Sequence, residues 1–419
     1  MPLPLPIEIV EYVLDLAGAF PDLSAHLSHP YSLHSADHVL PLSAIKLSAG
    51  SFFSLALVCK QWNVICTPRL YRCLAIVDDT ATVIDALLRT LEQAQITARV
   101  SGSMPLGSLT RHLIVALSDC VNDDEDKHFE RRILRRFGYL GRLARCLPHL
   151  EILSISIFTG DTWGRPLPYY GKDFAASVIQ TCAPSLIKLH LHHEALVLFS
   201  RPELRKLLES SPNLIAIIGA GVGDCIGCPV TLPYLPKLKY LSVNSTMRRC
   251  DYIGHEDDRT PLLDHIHIQY GLLSDHWVHL LSVQGPRLTS VSLDLRLSQE
   301  PENCSEYLSG LTKFCPNLLY LEICIDNWFS FPRLELLPLV ERFGIHVQAR
   351  NTSRGTSVDT ICKKLATIQS PSLRVVQLMS PGIFERFASS DNVKSAWSPL
   401  VDHPFRVVDG DGRELGPPE

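Results

Sequence analysis

Pro148-His149-Leu150-Glu151-Ile152-Leu153-Ser154-Ile155 decides the fold, because its spacing of one proline and apolar residues returns eight more times along the chain. The template is Pro-x-Leu-x-x-Leu-x-Leu with conservative exchanges. It recurs as Pro184–Leu186–Leu189–Leu191, Pro212–Leu214–Ile217, Pro236–Leu238–Leu241–Val243 and Pro261–Leu263–Ile266–Ile268. Pro286–Leu288–Val291–Leu293, Pro316–Leu318–Leu321–Ile323, Pro338–Val340–Phe343–Ile345 and Pro371–Leu373–Val376–Leu378 complete the series. The last two apolar positions are two apart, so both leave one face of a short strand. The leucine three residues earlier fills the turn leading in. The proline stands where a preceding helix has to stop.

Intervals between equivalent leucines run from 22 to 36 residues, which leaves room for one helix or loop per repeat. Apolar stripes predict several of these helices: Phe129, Ile133, Phe137, Leu140 and Ala144 in one; Asp275 to Val283 and Ser305 to Phe314 in others. Ser200 to Glu203 has the form of a capping box ahead of Leu204, Leu207 and Leu208. Upstream, Leu74–Val77 and His112–Leu117 read as strands around a helix bearing Val83, Leu87, Leu88 and Leu91. The fold class expected is α/β: an irregular solenoid with parallel strands on its concave face.

Composition fits. The chain has 419 residues, 46% of them hydrophobic, and a net charge of −5 from 39 basic and 44 acidic residues. That balance lacks the basic footprint of a nucleic-acid binder. No stretch reaches the roughly 18 apolar residues of a membrane span. The N-terminus lacks a basic n-region, and Glu8, Glu11 and Asp15 interrupt its apolar stretch. The 13 cysteines read as reduced thiols used as small core hydrophobes, so a cytoplasmic or nuclear location is expected and Asn244, Asn303 and Asn351 are discounted as glycosylation sites.

The first seventy residues follow another pattern. Leu5-Pro6-Ile7-Glu8-Ile9 opens a helix with an apolar face of Ile9, Val10, Val13, Leu14 and Ala17. A second helix is predicted from Ser51, with Phe52, Leu55, Cys59 and Trp62 in a stripe, ended by Thr67-Pro68 and followed by Leu70-Tyr71. Leu5-Pro6-x-Glu8-Ile9, Leu55-Ala-Leu-Val58-Cys59-Lys60-x-Trp62 and Thr67-Pro68-x-Leu70-Tyr71 together resemble the F-box motif. The repeats likewise resemble the leucine-rich repeats of F-box proteins, with Cys146, Cys182 and Cys315 beside the proline. Two departures stand out: residues 20–50 exceed the usual link between the first two helices, and the asparagine ladder of regular leucine-rich repeats is absent. The expected organisation is an F-box module over 1–72 with a surface loop at about 20–50, a solenoid over 73–398 and a loose tail over 399–419.

The resemblance implies a Skp-family adaptor as partner and, through it, a cullin. It assigns adaptor contact or support to Leu5, Pro6, Ile9, Val10, Leu14, Leu55, Val58, Cys59, Trp62 and Leu70. For Trp62 the alternative is a filler of the helical core. It also implies a protein substrate held on the concave face. Residues between the core positions of the strands point to that face, which makes it polar and rich in histidine: Lys188, His190 and His192, then Tyr240, His265, His267, Asp294, Tyr320 and Glu322. The alternative is an ordinary solvated strand face.

Other signals are weaker. Cys225-Ile-Gly-Cys228 has half the spacing of a zinc site and reads as a turn, and Gly219-x-Gly221-x-Gly223 as a tight turn after the third repeat. Arg131, Arg135, Arg142 and Arg145, behind the acidic run Asp123–Asp126, read as a solvated, self-complementary surface. No catalytic motif occurs, so neither catalysis nor a cofactor or metal is expected. The expectation is a substrate-recognition subunit of a cullin-based ubiquitin ligase. A cullin-independent interaction scaffold is the rival, and an enzyme with an unrecognised site is a distant third.

Overall fold

Every one of the nine proline–leucine matches becomes a strand. A computed structural model describes residues 50–77, 81–119, 137–159, 171–191, 198–219, 232–244, 259–269, 281–295, 304–328, 331–332, 337–347, 357–380, 382–388 and 393–416. The strands are β1 (Cys73–Val77), β2 (His112–Asp119), β3 (Ile152–Thr159), β4 (Lys188–Leu191), β5 (Ala216–Ile218) and β6 (Tyr240–Asn244). They continue with β7 (His265–Gln269), β8 (Ser290–Asp294), β9 (Tyr320–Ile325), β10 (Arg342–Val347), β11 (Val375–Leu378) and β12 (Arg406–Asp409). All twelve belong to one parallel sheet in which order in space follows order in sequence. The nine matches account for β3 to β11; β1, β2 and β12 lie outside the template.

Two compact units divide the chain, β1–β5 in the first and β6–β12 in the second. In the first, Leu74, Leu113, Leu153, Leu189 and Ile217 stand in one register row, and Ile76, Val115, Ile155 and Leu191 in the next. All nine side chains are buried. In the second, Leu241, Ile266, Val291, Leu321, Phe343, Val376 and Val407 form the corresponding buried row. The preceding apolar residue of each match, Leu150, Leu186 and Leu214 in the first unit and Leu238, Leu263, Leu288, Leu318, Val340 and Leu373 in the second, is buried too. Period two along each strand thus becomes an apolar column across the repeats.

Hydrogen bonding repeats with the same regularity. The Arg111 carbonyl accepts from both the Glu151 and Ile152 amides, and the Glu151 carbonyl from Ile187 and Lys188. The second unit repeats this forked bond, with Asp264 accepting from Thr289 and Ser290, and Leu319 from Glu341 and Arg342. At several repeats the residue after the proline adds a side-chain rung. Asn213 Nδ2 donates to the Pro184 carbonyl at 3.0 Å, Asn317 Nδ2 to Pro286 at 2.7 Å, and Ser185 Oγ to Leu150 at 2.8 Å. A polar ladder therefore exists at a position other than the one whose asparagines are absent.

The helices return the chain from one strand to the next. Helix α1 (Lys60–Arg72) passes straight into β1, and α2 (Ala81–Ser101) follows. Helix α3 (Lys172–Ser177) continues into a π-turn over Val178–Cys182. Next come α4 (Arg201–Glu209), α5 (Cys304–Phe314), α6 (Val358–Leu365), α7 (Ile383–Ala388) and α8 (Val393–Trp397). The capping box at α4 forms as expected, with the Ser200 amide donating to Glu203 Oε2 at 2.9 Å. Cys182 Sγ lies 3.5 Å from the Ala144 and Leu147 carbonyls, tying one repeat to its predecessor. Burial pushes the Cys182 and Cys315 thiols up to about 12, which suits core packing and suppresses thiolate chemistry.

Four expectations change. The predicted continuous helix from Ser51 is broken: residues 50–56 are helical, Cys59 is an extended N-cap with φ −163° and ψ 170°, and α1 restarts at Lys60. Pro68 does not end that helix but sits inside it. Its missing N–H costs only the bond to the carbonyl of Val64, a residue open to water. In α2 the buried face is Ile84, Leu88, Leu91 and Ala98, while Val83 is exposed. Finally, the tail expected over 399–419 carries β12. There Val407, Val408 and Leu415 are buried, and the Leu415 amide donates to the Val407 carbonyl at 2.8 Å. Among the described residues no helix is long and apolar enough to cross a membrane.

Candidate partner-binding surfaces

Residues 50–72 combine a small core with an apolar exterior. Phe52, Ala56 and Cys66 are buried together, and Leu55, Trp62, Ile65 and Leu70 pack against them. Around this core Phe53 (56% exposed), Leu57 (70%), Val58 (65%) and Val64 (72%) face solvent. The break at Leu57–Cys59 is what turns these groups outward: one helix could bury a single stripe, whereas two segments meeting at an extended residue display a second apolar side. The Asn63 side chain donates to the Ala56 carbonyl at 3.3 Å and holds the two segments together. Four apolar side chains at more than half exposure, all between positions 53 and 64, give this short region the apolar exterior associated with an interaction site.

The sequence-assigned adaptor residues therefore divide. Val58 and Cys59 are exposed; Leu55, Trp62 and Leu70 are partly buried supports. Leu5, Pro6, Ile9, Val10 and Leu14 lie outside the described residues. Phe53, Leu57 and Val64 belong to the patch without having been singled out. For Phe53 and Leu57 the signal was the stretch Phe52-Phe53 and Leu55-Ala56-Leu57-Val58, too apolar all round for a one-sided helix.

The polar face of the sheet is more buried than the sequence suggested. In the second unit Tyr240, His265, His267, Asp294, Tyr320 and Glu322 all point away from the apolar column, as their alternation requires, yet all six are buried. The expectation of an open face at these positions is corrected accordingly. The Tyr240 and His265 rings stack with centroids 4.5 Å apart. Ser242 Oγ lies 3.0 Å from His267 Nδ1, and Ser292 Oγ donates to Glu322 Oε2 at 2.9 Å. Tyr320 reaches over Gly344 on β10, where a Cβ would run into its hydroxyl. Burial, with a smaller contribution from His267, pushes His265 down to about 3, so its ring is neutral.

In the first unit the same face carries His112, Ser154, Lys188 and His190. Ser154 Oγ lies 3.2 Å from His190 Nδ1, and His190 and Lys188 are only partly buried. Burial pulls the Lys188 ammonium down to about 8. His112 is pushed down to about 4 by burial first, then by Arg72 and Lys188. His192 lies outside the described residues, as do Cys225, Cys228 and the acidic run Asp123–Asp126. Among the described residues no three His, Cys, Asp or Glu side chains are grouped to hold a metal.

On the helical side of the first unit, Arg142 forms a two-pronged bond with Glu92 of α2, Nε to Oε1 at 3.0 Å and Nη2 to Oε2 at 2.7 Å. A shallow cleft of about 570 Å³ beside it is lined by Tyr139, Arg145, Asp173 and Gln180. Its charges are mixed, in keeping with a solvated surface.

Compared with protein families, the chain matches no family model, and no curated protein matches its sequence.

Proposed function

We propose that this chain is the substrate-recognition subunit of a cullin-based ubiquitin ligase. In this reading it binds a Skp-family adaptor through its F-box-like N-terminal region and a protein substrate through its repeats. The observation that supports the reading most is the patch of Phe53, Leu57, Val58 and Val64, backed by the Phe52–Ala56–Cys66 core. It lies in the stretch that carries the F-box-like residues from Leu55 to Tyr71. An exposed apolar patch on a small helical module offers a partner groove the area that drives association, and a buried anchor within it is worth about 2 kcal/mol or more.

Two further features favour a receptor over a catalyst. Helix α1 joins β1 with no intervening residue, and the Arg111 amide donates to the Arg72 carbonyl at 2.9 Å, so the adaptor-binding region and first repeats are fixed to one another. A fixed geometry suits holding cargo at a set distance from a transfer site. On the polar face, partly buried Lys188 and His190 are the best-placed cargo contacts, because the equivalent positions on β7 to β9 are buried.

Co-expression of the full chain with a Skp-family adaptor and a cullin tests the reading. Recovery of all three in one complex, together with ubiquitin transfer to a captured protein, is the expected result. Recovery of adaptor without cullin would replace the ligase by a scaffold. Failure to bind the adaptor would remove both.

A further inference from the structure

Strands β8 and β9 bury two carboxyl groups on one face. Ser292 stands in register with Glu322, and Asp294 two residues further along β8 stands opposite Cys324. Alternation puts Ser292, Asp294 and Glu322 on the same side, which makes Asp294 the diagonal neighbour of Glu322 at about 7–8 Å between Cα atoms. Glu322 is 0% exposed and Asp294 1% exposed. Other ionisable groups on this face are His265 and His267 from β7 and Arg342 and His346 from β10, the two neighbouring strands, with Tyr240 from β6 beyond β7. Tyr320 and Cys324 belong to β9 itself. Both histidines of β7 are buried, and His265 is neutral for the reason given above.

We propose that Glu322 is the neutral acid in the folded protein at neutral pH and acts as a proton-linked latch for the second unit, which loosens around β8 and β9 when that proton leaves. The physical basis is the cost of an ionised carboxyl with no access to water, raised further by a like charge one diagonal away. The Ser292 hydroxyl works in the opposite direction by donating to Oε2. Burial dominates, and with Asp294 it pushes the Glu322 carboxyl up to about 8 despite Ser292.

The sign of the linkage follows. Between the ordinary glutamate value of 4.5 and about 8, the folded chain holds a proton at this position that the unfolded chain has released. Stability from this group is therefore greatest at low pH and declines as pH rises through that window. Local opening around a group titrating at about 8 should increase about tenfold between pH 7 and 9, beyond the intrinsic pH effect on exchange.

Infrared difference spectra and amide exchange of the full chain, from pH 6 to 9.5, decide the matter. The expected spectrum has a protonated buried carboxyl band at pH 6.5 that vanishes with a midpoint near 8. The band should be absent in Glu322→Gln and persist, with a lower midpoint, in Asp294→Asn. Amides of β8 and β9 should lose protection about tenfold from pH 7 to 9 in the unaltered chain and keep it in Glu322→Gln. Absence of the band at pH 6.5 in the unaltered chain would overturn the proposal, and this holds even if both variants fail to fold. Equal loosening in Glu322→Gln would overturn it as well.

Discussion

Gly219, at the end of β5, has φ +123°, and a Cβ on it would collide with the Leu191 carbonyl of the strand before. Only glycine fits both demands. Gly219→Ala should cost about 1–3 kcal/mol, read as a lowered urea midpoint, while Gly138→Ala, in a helix where the new Cβ would meet nothing, should raise it slightly. Asp409 fixes the other end of the chain. Its buried carboxylate accepts from the Asp411 amide at 3.0 Å, the Arg413 amide at 2.8 Å and Arg413 Nε at 2.6 Å. This turn, Asp409-Gly-Asp-Gly412, lies in the stretch expected to be a loose tail. The residue types were right for a turn, but the sequence does not reveal that the turn folds back to cover an edge strand. Trp62 illustrates another limit: its stripe gave its helical face, whereas its role as partial core depends on the Cys59 break, which no propensity marks.

Strands were the most legible elements, because period-two leucines repeat with a fixed offset from proline and both their faces are constrained by neighbours. Leu321→Ala, at the centre of the second unit's column, should destabilise by about 2–5 kcal/mol in denaturant titration. The side-chain ladder was less legible. Its rungs are asparagine, serine and lysine at the position after proline, a mixture with no single residue type to search for. Asn317→Ala should cost about 1 kcal/mol, since the rung to Pro286 is exposed and water replaces part of it. Helix faces were legible only in part. Leu88 and Leu91 of the expected stripe are buried, but Val83 is exposed and Ile84, one residue or 100° on, is buried in its place.

For the molecule as a whole, the buried ionisable groups predict a pH profile. His265 at about 3 and His112 at about 4 lie below their unfolded value of 6.5, so between those limits the unfolded chain binds more protons. Their contribution to stability is intact above 6.5 and is lost as pH falls through the folded values. Denaturant midpoints measured from pH 4 to 8 should therefore decline on the acid side, and His265→Gln should flatten part of that limb. The polar face itself was legible as a register but not as an exposure. Alternation dictated which side Tyr240, His265 and Glu322 take, while their burial depends on tertiary packing that a strand pattern does not encode.

Adaptor binding at the apolar patch is the claim on which the functional reading rests, and calorimetric titration of a purified Skp-family adaptor into the full chain measures it directly. Leu57 and Val64 are exposed, so Leu57→Asp with Val64→Asp should leave circular dichroism and melting unchanged. The unaltered chain should bind, and the double variant should lose at least about thirtyfold in affinity, the equivalent of about 2 kcal/mol. Equal affinity for both chains, or no binding by either, would contradict that claim.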